Sequence, residues 1–453
     1  MHKWTRGAAL ALAVGIATAG CATVKSGGSA GSGGGASASA SPSPTTSSVN
    51  AGAYHGGIKI SYQGFGSFAG VQQVVSAFNK KYSGKYYVTA TSVPYAQYAA
   101  LLSSALSAHN APDIFSGSFT PSVYYARMGL TLPIAPILAD GGINPATDFP
   151  ASEWNSKMLV NGQHYSAPQA AFGTALFYNK TLFKKAGLNP DQPPTTGAQV
   201  ITDAKALKKA GVKYPIILGV GKGTQDFLYP SLVYQFGGTM GDPSSCTALF
   251  DSSAGAKALA WEKSLIYTYH VAPVGPSTGE DVAQFGAGTE GMAFLPAINQ
   301  GQFLTSLGQS KFGTAPLPEI GGNRTDFLGQ NYIWVFKNAN DNAAKLKGIG
   351  LFLAAMYKQD SVPLATQGGV VPSYLPALSS TAVRNGPYFA EQDAMVKTGR
   401  LNPAIPNWGT VTAVPLYDYV ENALLNRQSV SSALSEAKTK TDQLTSTLPG
   451  CSK

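Results

Sequence analysis

The chain has 453 residues, of which 12% are charged, and a formal net charge of +9, which falls to +7 when Lys3 and Arg6 are left out. Its basic residues are scattered, whereas nucleic-acid binding needs them concentrated on one face, so we expect no nucleic-acid partner. About 400 residues follow the N-terminal region, more than one hydrophobic core normally holds, and two lobes are therefore expected.

The N-terminus has the layout of a secretory signal peptide. Lys3 and Arg6 precede an apolar stretch, residues 8–19, and Cys21 follows closely. The stretch is well short of the roughly 20 residues that a membrane-spanning helix needs. We therefore predict that residues 1–20 are a signal peptide.

Cys21 is predicted to carry a lipid. The segment from Thr18 to Cys21 resembles the bacterial lipobox, although Thr18 stands where a large aliphatic residue is usual. The alternative is an ordinary signal peptide that happens to contain a cysteine.

Residues 26–53 are almost entirely Gly, Ala and Ser, and such a stretch cannot bury apolar surface. We interpret residues 21–54 as a flexible linker between a lipid anchor and a folded body; the alternative is a disordered tail left over from export.

Two further cysteines remain if Cys21 is acylated, namely Cys246 and Cys451. Exported proteins occupy compartments that permit disulfides. We therefore predict a bond between these two cysteines, which would hold the C-terminus on the folded body. Two buried free thiols are the alternative.

Strand and helix alternate along the first part of the body. Strands are predicted at residues 58–62, 86–93 and 111–115, and helices over about 71–82 and 95–109. The side chains expected to face the core from the two helices are Val71, Val74, Val75, Phe78, Tyr82, Tyr98, Leu101, Leu102 and Leu106.

The alternation continues toward the C-terminus. The predicted segments are extended chain at 165–178, strands at 214–218 and 291–295, and helices at 181–187, 197–211, 254–269 and 343–357, with one or two amphipathic helices over 412–444. This pattern indicates an α/β fold, whose ligands bind at the carboxyl ends of its strands.

Several segments carry a family resemblance through their order along the chain. The most specific is 176–188, Leu-Phe-Tyr-Asn-Lys-Thr-Leu-Phe-Lys-Lys-Ala-Gly-Leu. The others are 111–114, 165–168, 250–252, 258–259, 291–294, 315–318 and 369–373. Together they cover most of residues 57–445, and they resemble the extracellular sugar-binding proteins of ABC importers, the maltodextrin-binding-like family.

The resemblance implies a two-lobed periplasmic-binding-protein-like fold of type II, with a ligand cleft between lobes that the chain joins through more than one crossing. By analogy, lobe one holds residues 55–168 and 286–327, and lobe two holds residues 169–285 and 328–453. The implied function is capture of a mono- or oligosaccharide and its delivery to ABC permease subunits, without cofactor or catalysis. The expected form is a monomer held through Cys21 at the outer face of the cytoplasmic membrane.

Sugars present hydroxyls and apolar ring faces, so planar polar and aromatic side chains at strand ends and lobe crossings are candidate contacts. The predicted ligand-binding residues are Gln63, Phe65, Ser116, Ser118, Phe172, Asp226, Asn299, Gln330, Asn331 and Trp408, with Gln300 and Tyr332 beside them. The loop 116–119 lacks the tryptophan and charged residues that maltodextrin-binding relatives carry there. This difference allows a smaller or less polar ligand and leaves the solute open.

Enzymatic motifs are poorly matched. Residues 219–224, Gly-Val-Gly-Lys-Gly-Thr, follow a strand but lack the spacing of a P-loop or a Rossmann turn. Ser435 and Lys438 fit Ser-x-x-Lys, but the accompanying Lys-Thr-Gly at 397–399 comes in the wrong order. The histidines are far apart, so no metal site is expected. A carbohydrate-active enzyme and a ligand-sensing lipoprotein that acts on another membrane partner stay open as alternatives.

Overall fold

The computed structural model divides the chain into residues 1–43 and 44–453. Every residue that it describes belongs to the second part. The described residues are 47–64, 70–93, 97–154, 159–274 and 280–451. The predicted signal peptide, Cys21, the first part of the linker and Phe65 lie outside them.

Strands and helices alternate, as predicted. The strands of the described residues are β1 Ser47–Ser48, β2 Ile58–Gly64, β3 Tyr86–Ser92, β4 Ile114–Ser118, β5 Ser166–Phe172, β6 Thr174–Asn179, β7 Tyr214–Ile217, β8 Gly241–Asp242, β9 Thr247–Ala248, β10 Glu290–Pro296, β11 Phe312–Pro316, β12 Gly329–Val335 and β13 Val371–Pro372.

The helices of the same residues are α1 Val71–Lys81, α2 Tyr98–Ser107, α3 Phe119–Arg127, α4 Ile134–Asp140, α5 Pro145–Asp148, α6 Ala151–Trp154, α7 Lys180–Lys185, α8 Gly197–Lys209, α9 Gln225–Gln235, α10 Ser253–Tyr267, α11 Glu280–Gly286, α12 Gln300–Ser306, α13 Ala343–Ala355, α14 Ser361–Gly368, α15 Leu375–Leu378, α16 Thr381–Arg384, α17 Phe389–Thr398, α18 Trp408–Val411, α19 Ala413–Leu424 and α20 Val430–Thr445. A 3₁₀ turn, Ala297–Asn299, precedes α12, and a π-helical turn, Met356–Asp360, joins α13 to α14.

The first sheet has seven strands in the order β1-β3-β2-β4-β12-β5-β13, and with its covering helices it is called the N-lobe. β2 lies parallel to β3 and β4, whereas β12 runs antiparallel to β4 and β5. Helix α1 buries the face that its apolar spacing predicts, formed by Val71, Val74, Val75 and Phe78. The helical period therefore identified this part of the core correctly.

Helix α2 buries a narrower face than predicted. Leu102 is fully buried and Tyr98 is 6% exposed, but Leu101 is 39% exposed. A short helix at the side of a sheet buries one stripe only, and the residue next to Leu102 in sequence turns away from that stripe. The prediction that Leu101 faces the core was wrong.

The second sheet has four strands in the order β11-β6-β10-β7, and with its covering helices it is called the C-lobe. Every residue of β6 and β10 is buried, as is typical of a sheet covered on both faces. At the end of β6, Asn179 Oδ1 accepts hydrogen bonds from the backbone N–H groups of Thr181 and Leu182, at 3.0 and 3.1 Å. This cap starts α7 and explains the Tyr-Asn-Lys segment in physical terms.

The strand pairing differs from the predicted division into lobes. Residues 286–327 were predicted to join the strands of the N-lobe, but β10 and β11 both pair with β6 in the C-lobe sheet. Conversely, β12 and β13, which fall within 328–453, pair with β5 in the N-lobe sheet. The chain therefore crosses between the sheets at Gly173, between β11 and β12, and again after β13.

The described structure also begins earlier than the predicted linker end at residue 54. Ser47 and Ser48 pair with the end of β3, and Asn50 exchanges hydrogen bonds with Gln72 of α1. Asn79 Nδ2 donates to Ala51 O at 2.9 Å and to Val88 O at the same distance. Because backbone groups of this segment have partners in the N-lobe, residues 47–54 belong to the folded body.

Cys246 and Cys451, which were predicted to pair, are joined by a disulfide with their Cα atoms 5.6 Å apart. The bond links the β8–β9 hairpin to the tail that follows α20. Thr445 of α20 also donates a hydrogen bond of 2.7 Å to Cys246 O. The C-terminus is thus held on the C-lobe by a covalent and a polar contact.

Candidate functional site

A cavity of about 530 Å³ lies between the two lobes. Its walls combine aromatic rings, amide side chains and two carboxylates. All three crossings contribute to it, through Phe172, residues 327–331 and Leu401. The cavity therefore lies where a change in the angle between the lobes would alter its width.

The N-lobe wall is built from the ends of neighbouring strands. Ser118 is the last residue of β4 and pairs with Asn331 near the start of β12, since these strands are antiparallel. Gln330 is next to Asn331, and its Oε1 accepts a hydrogen bond of 2.9 Å from the Tyr332 hydroxyl. Strand pairing thus brings three polar side chains from distant parts of the sequence to one edge of the cavity.

A β-bulge lies directly behind this edge. The register between β12 and β5 shifts between Asn331 and Tyr332, which leaves Gln169 as the extra residue of β5. Bulges near sites redirect side chains that a regular strand would alternate. Gln169 Oε1 accepts a hydrogen bond of 2.6 Å from Ser116, and both side chains are buried. Ser116 therefore supports the wall rather than facing the cavity.

The C-lobe wall is formed by the glycine-rich turn after β7 and the first turn of α9. Asp226 Oδ1 accepts a hydrogen bond of 3.1 Å from the backbone N–H of Gly223, and a carboxylate is stabilised at a helix N-terminus. The Thr224 hydroxyl donates a short hydrogen bond to Asp281 Oδ2. Asp281 Oδ1 accepts from the backbone N–H of Val282 at 2.9 Å. Both carboxylates of the cavity are thus fixed by donors of their own lobe.

Aromatic rings cover the floor of the cavity. Phe172 and Phe227 lie with ring centroids 5.7 Å apart, and Phe227 and Phe327 lie 5.4 Å apart. A side chain at Gly329 would place its Cβ 2.6 Å from the Phe172 ring, so glycine is required there for the ring to fit. Tyr98 and Tyr417 also border the cavity, and burial raises the pKa of each hydroxyl above its usual value, so both stay protonated donors.

The structure brings together six of the predicted ligand-binding residues. Those that line the cavity are Ser118, Phe172, Asp226, Asn299, Gln330 and Asn331. They come from strand ends, crossings and the turn after β7, the positions that the α/β pattern indicated. Their role as ligand contacts stays a prediction.

Other predicted contacts lie elsewhere. Trp408 is 1% exposed and packs in the C-lobe core, where a Cβ at Gly241 would lie 2.9 Å from its ring. Gln300 is fully buried and donates to Pro387 O at 3.2 Å. Gln63 lies in β2, where it pairs with Thr91 of β3 and Phe115 of β4, and it is not part of the cavity wall. Neither the Trp408 nor the Gln300 side chain lines the cavity in this structure.

Sequence reasoning missed several wall residues. Tyr98 is the first residue of α2. Phe227 directly follows Asp226 in α9, so including the residue after Asp226 among the predicted contacts would have found it. Asp281 lies in α11, 57 residues from its partner Thr224. Nothing in the sequence marks that pairing. Among the described residues, no group of three or more His, Cys, Asp or Glu could hold a metal ion.

The family model described as bacterial extracellular solute-binding protein matches residues 53–362. Over 332 residues the chain is 27% identical to the diacetylchitobiose binding protein DasA of Streptomyces coelicolor, covering 69% of this chain and 72% of that protein. Over 145 residues it is 30% identical to the sn-glycerol-3-phosphate-binding periplasmic protein UgpB of Pectobacterium atrosepticum. That second match covers 32% of this chain and only 33% of UgpB.

Solved structures show the same fold. An ABC transporter solute-binding protein of Thermotoga lettingae, bound with α-D-tagatose, superposes with a TM-score of 0.73 at 20% identity, covering 86% of this chain and 100% of that one. The T. maritima MalE3 protein, bound to maltose, also gives a TM-score of 0.73. These likenesses confirm the two-lobed α/β fold that the sequence resemblance implied.

The chain is a member of the bacterial extracellular solute-binding protein family. Its two sheets with a cavity between them form the same two-lobed fold as the tagatose-bound and maltose-bound proteins. Within the described residues, no helix has the length and apolar character needed to cross a membrane.

Proposed function

We propose that the inter-lobe cavity captures a neutral mono- or oligosaccharide and that the protein delivers it, unchanged, to the permease subunits of an ABC importer. The observation that carries this proposal is the combination of amides, carboxylates and aromatic rings around one cavity. Amides and carboxylates bind hydroxyls in a fixed plane, and aromatic rings stack on apolar sugar faces. The cavity volume of about 530 Å³ falls in the range of small-ligand sites.

The charge of the walls favours a neutral solute over a phosphorylated one. Asp226 and Asp281 are the charged side chains of the wall, and none of its described residues is a lysine, arginine or histidine. A phosphate placed there would face two carboxylates without a cation in the wall to bind it. We therefore favour a sugar such as those bound by DasA or MalE3 over the glycerol phosphate that UgpB is named for.

A thermal-shift panel tests the ligand class. Neutral sugars, including diacetylchitobiose, maltose and D-tagatose, and sn-glycerol 3-phosphate are each added to the purified protein. A ligand at a hundred times its Kd is expected to stabilise the native state by about 2.7 kcal/mol, which raises Tm. We expect a neutral sugar to raise Tm and the phosphate to leave it unchanged. A response to the phosphate alone would contradict the proposed class, and release of sugar products would indicate an enzyme.

Asp226 gives a sharper test of the site. Replacing Asp226 with asparagine removes the charge but keeps the shape, and is expected to weaken sugar binding by roughly ten- to a hundredfold, since a charge-assisted hydrogen bond contributes about 1.5–3 kcal/mol. Isothermal titration calorimetry measures the change. The matched control is Asp191→Asn, because Asp191 pairs with Lys180 on the surface and its side chain is 76% exposed. Equal affinities for both variants would rule Asp226 out as a contact.

The proposal also places the protein at the outer face of the cytoplasmic membrane, as a monomer tethered through lipidated Cys21. The lipobox resemblance and the family's extracellular role support this location. In cells that express the full chain, Cys21→Ser is expected to release the protein from the membrane fraction into the medium. Retention of that variant in the membrane fraction would contradict lipid anchoring through Cys21.

A further inference from the structure

The lobes touch at a point where the chain does not cross between them. Helix α3 of the N-lobe ends at Arg127, whose Nη1 donates a hydrogen bond of 2.8 Å to Pro449 O in the C-terminal tail. Gly450, the next residue, has a φ of +83°, and a Cβ built on it would lie 2.8 Å from the Arg127 Cζ atom and closer still to Nη1. The guanidinium group therefore occupies the space that only a glycine leaves open.

The disulfide sets the position of this tail. Pro449 and Gly450 immediately precede Cys451, which is bonded to Cys246 in the β8–β9 hairpin. The backbone N–H of Cys451 also donates to Leu448 O at 2.9 Å, which closes the turn that presents Pro449 O. Leu448 is buried, so the tail is held on the C-lobe surface on both sides of Pro449 and Gly450, by Leu448 before them and by the bond to Cys246 after them. The acceptor that Arg127 uses is thus placed by a covalent constraint.

The contact lies on the same side of the molecule as one wall of the cavity. Ser118, directly before α3, and Tyr98 line that wall. Gly409 of α18 also lines the cavity, and α18 packs against α3. Opening the cavity on this side must separate α3 from α18 and Arg127 from the tail.

We propose that the disulfide-held tail is a latch for the closed form of the protein, with Arg127 as the N-lobe half and Pro449–Gly450 as the C-lobe half. The latch rests on the proposed function, in which the lobes close over a captured solute. It is a positioning device, because neither half touches the cavity. By holding the closed form, it slows release of the solute and lowers the population of the open form in the empty protein.

Single-molecule fluorescence transfer between dyes on the two lobes tests the latch without any ligand. Dyes attached through a non-natural amino acid at the exposed positions Lys81 of α1 and Lys209 of α8 leave the cysteines untouched. In the ligand-free protein, Arg127→Ala is expected to lower the ratio of closed to open molecules roughly two- to tenfold, the range of one hydrogen bond. Gly450→Ala, which displaces the guanidinium but keeps the disulfide, is expected to do the same.

The control and the combined variants decide the mechanism. Arg427→Ala removes another exposed guanidinium, whose partner Glu421 lies in the same lobe, and it should leave the ratio unchanged. Because Arg127 and Gly450 act through one contact, the double variant should open the protein no further than either single variant. An unchanged ratio in Arg127→Ala, or full additivity in the double variant, overturns the latch. Neither result bears on sugar capture, which the thermal-shift panel decides separately.

Discussion

Replacing Trp408 with alanine is expected to lower the free energy of unfolding by about 3–5 kcal/mol, the usual cost of removing a buried tryptophan. The side chain is 1% exposed and packs in the C-lobe core beside Ile405 and Gly241. Collapse around the resulting cavity is restricted, because Thr412 donates a short hydrogen bond to Trp408 O and fixes the backbone. Urea denaturation followed by far-ultraviolet circular dichroism measures the loss.

A second variant, Trp408→Phe, separates the core position of Trp408 from the ligand contact that its sequence position suggested. Trp408→Phe keeps most of the buried volume and is expected to bind sugar with wild-type affinity and to lose less stability. A direct stacking contact would give the opposite pattern, in which the phenylalanine variant is stable but binds sugar many times more weakly. Calorimetry on the phenylalanine variant therefore decides between the two positions.

Local periodicity was the reliable signal in this sequence, whereas strand ends located only part of the cavity wall, because Gln63 at the end of β2 lies outside it. In α1, the spacing of the apolar residues predicted both the helix and its buried face, formed by Val71, Val74, Val75 and Phe78. Both features depend only on residues within that helix. The end of β4 located Ser118 in the cavity wall, as the expectation that ligands of α/β sheets lie beyond the carboxyl ends of strands predicts. Both inferences use only the local sequence around each residue.

The lobe division and part of the site depend on contacts that sequence pattern does not encode. Strands β10 and β12 are both buried along their whole length. Nevertheless, β10 pairs with β6 of the C-lobe sheet, whereas β12 pairs with β4 and β5 of the N-lobe sheet. Strand partners are chosen by the whole sheet, so apolar pattern alone could not assign them to a lobe. For the same reason Asp281 could not be found, because its place in the wall follows from the packing of α11.

A large pH effect is expected from Glu262, a buried carboxyl behind the C-lobe wall. Gln225 Nε2 donates both to Glu262 Oε2 at 2.7 Å and to Gly219 O at 2.8 Å, so this group supports the turn that leads to Asp226. Burial raises the pKa of Glu262 to about 8, and the bond from Gln225 opposes the shift only in part. Tyr229 of α9 is also close, and burial raises the pKa of its hydroxyl too, so it stays neutral.

The sign of the effect follows from the raised pKa. The stability that neutral Glu262 contributes is fully present below the unfolded-state pKa of about 4.3, and it is lost as the pH rises through about 8. Glu262→Gln keeps the acceptor for Gln225 and cannot ionise. At pH 9 the variant is therefore expected to be more stable than the wild type, by on the order of 5 kcal/mol, since each unit between the two pKa values corresponds to about 1.4 kcal/mol.

Urea denaturation at a series of pH values from 5 to 9 measures this difference. Burial also raises the pKa values of Glu290, Asp326 and Asp360, so both proteins should lose stability with rising pH, and only the gap between them reports Glu262. Glu280→Gln, at an exposed carboxyl, should run parallel to the wild type. A Glu262→Gln curve that stays parallel as well would show that Glu262 is already ionised in the native protein. A widening gap, accompanied by a loss of sugar affinity in the wild type alone, would tie the buried carboxyl to the turn that holds Asp226.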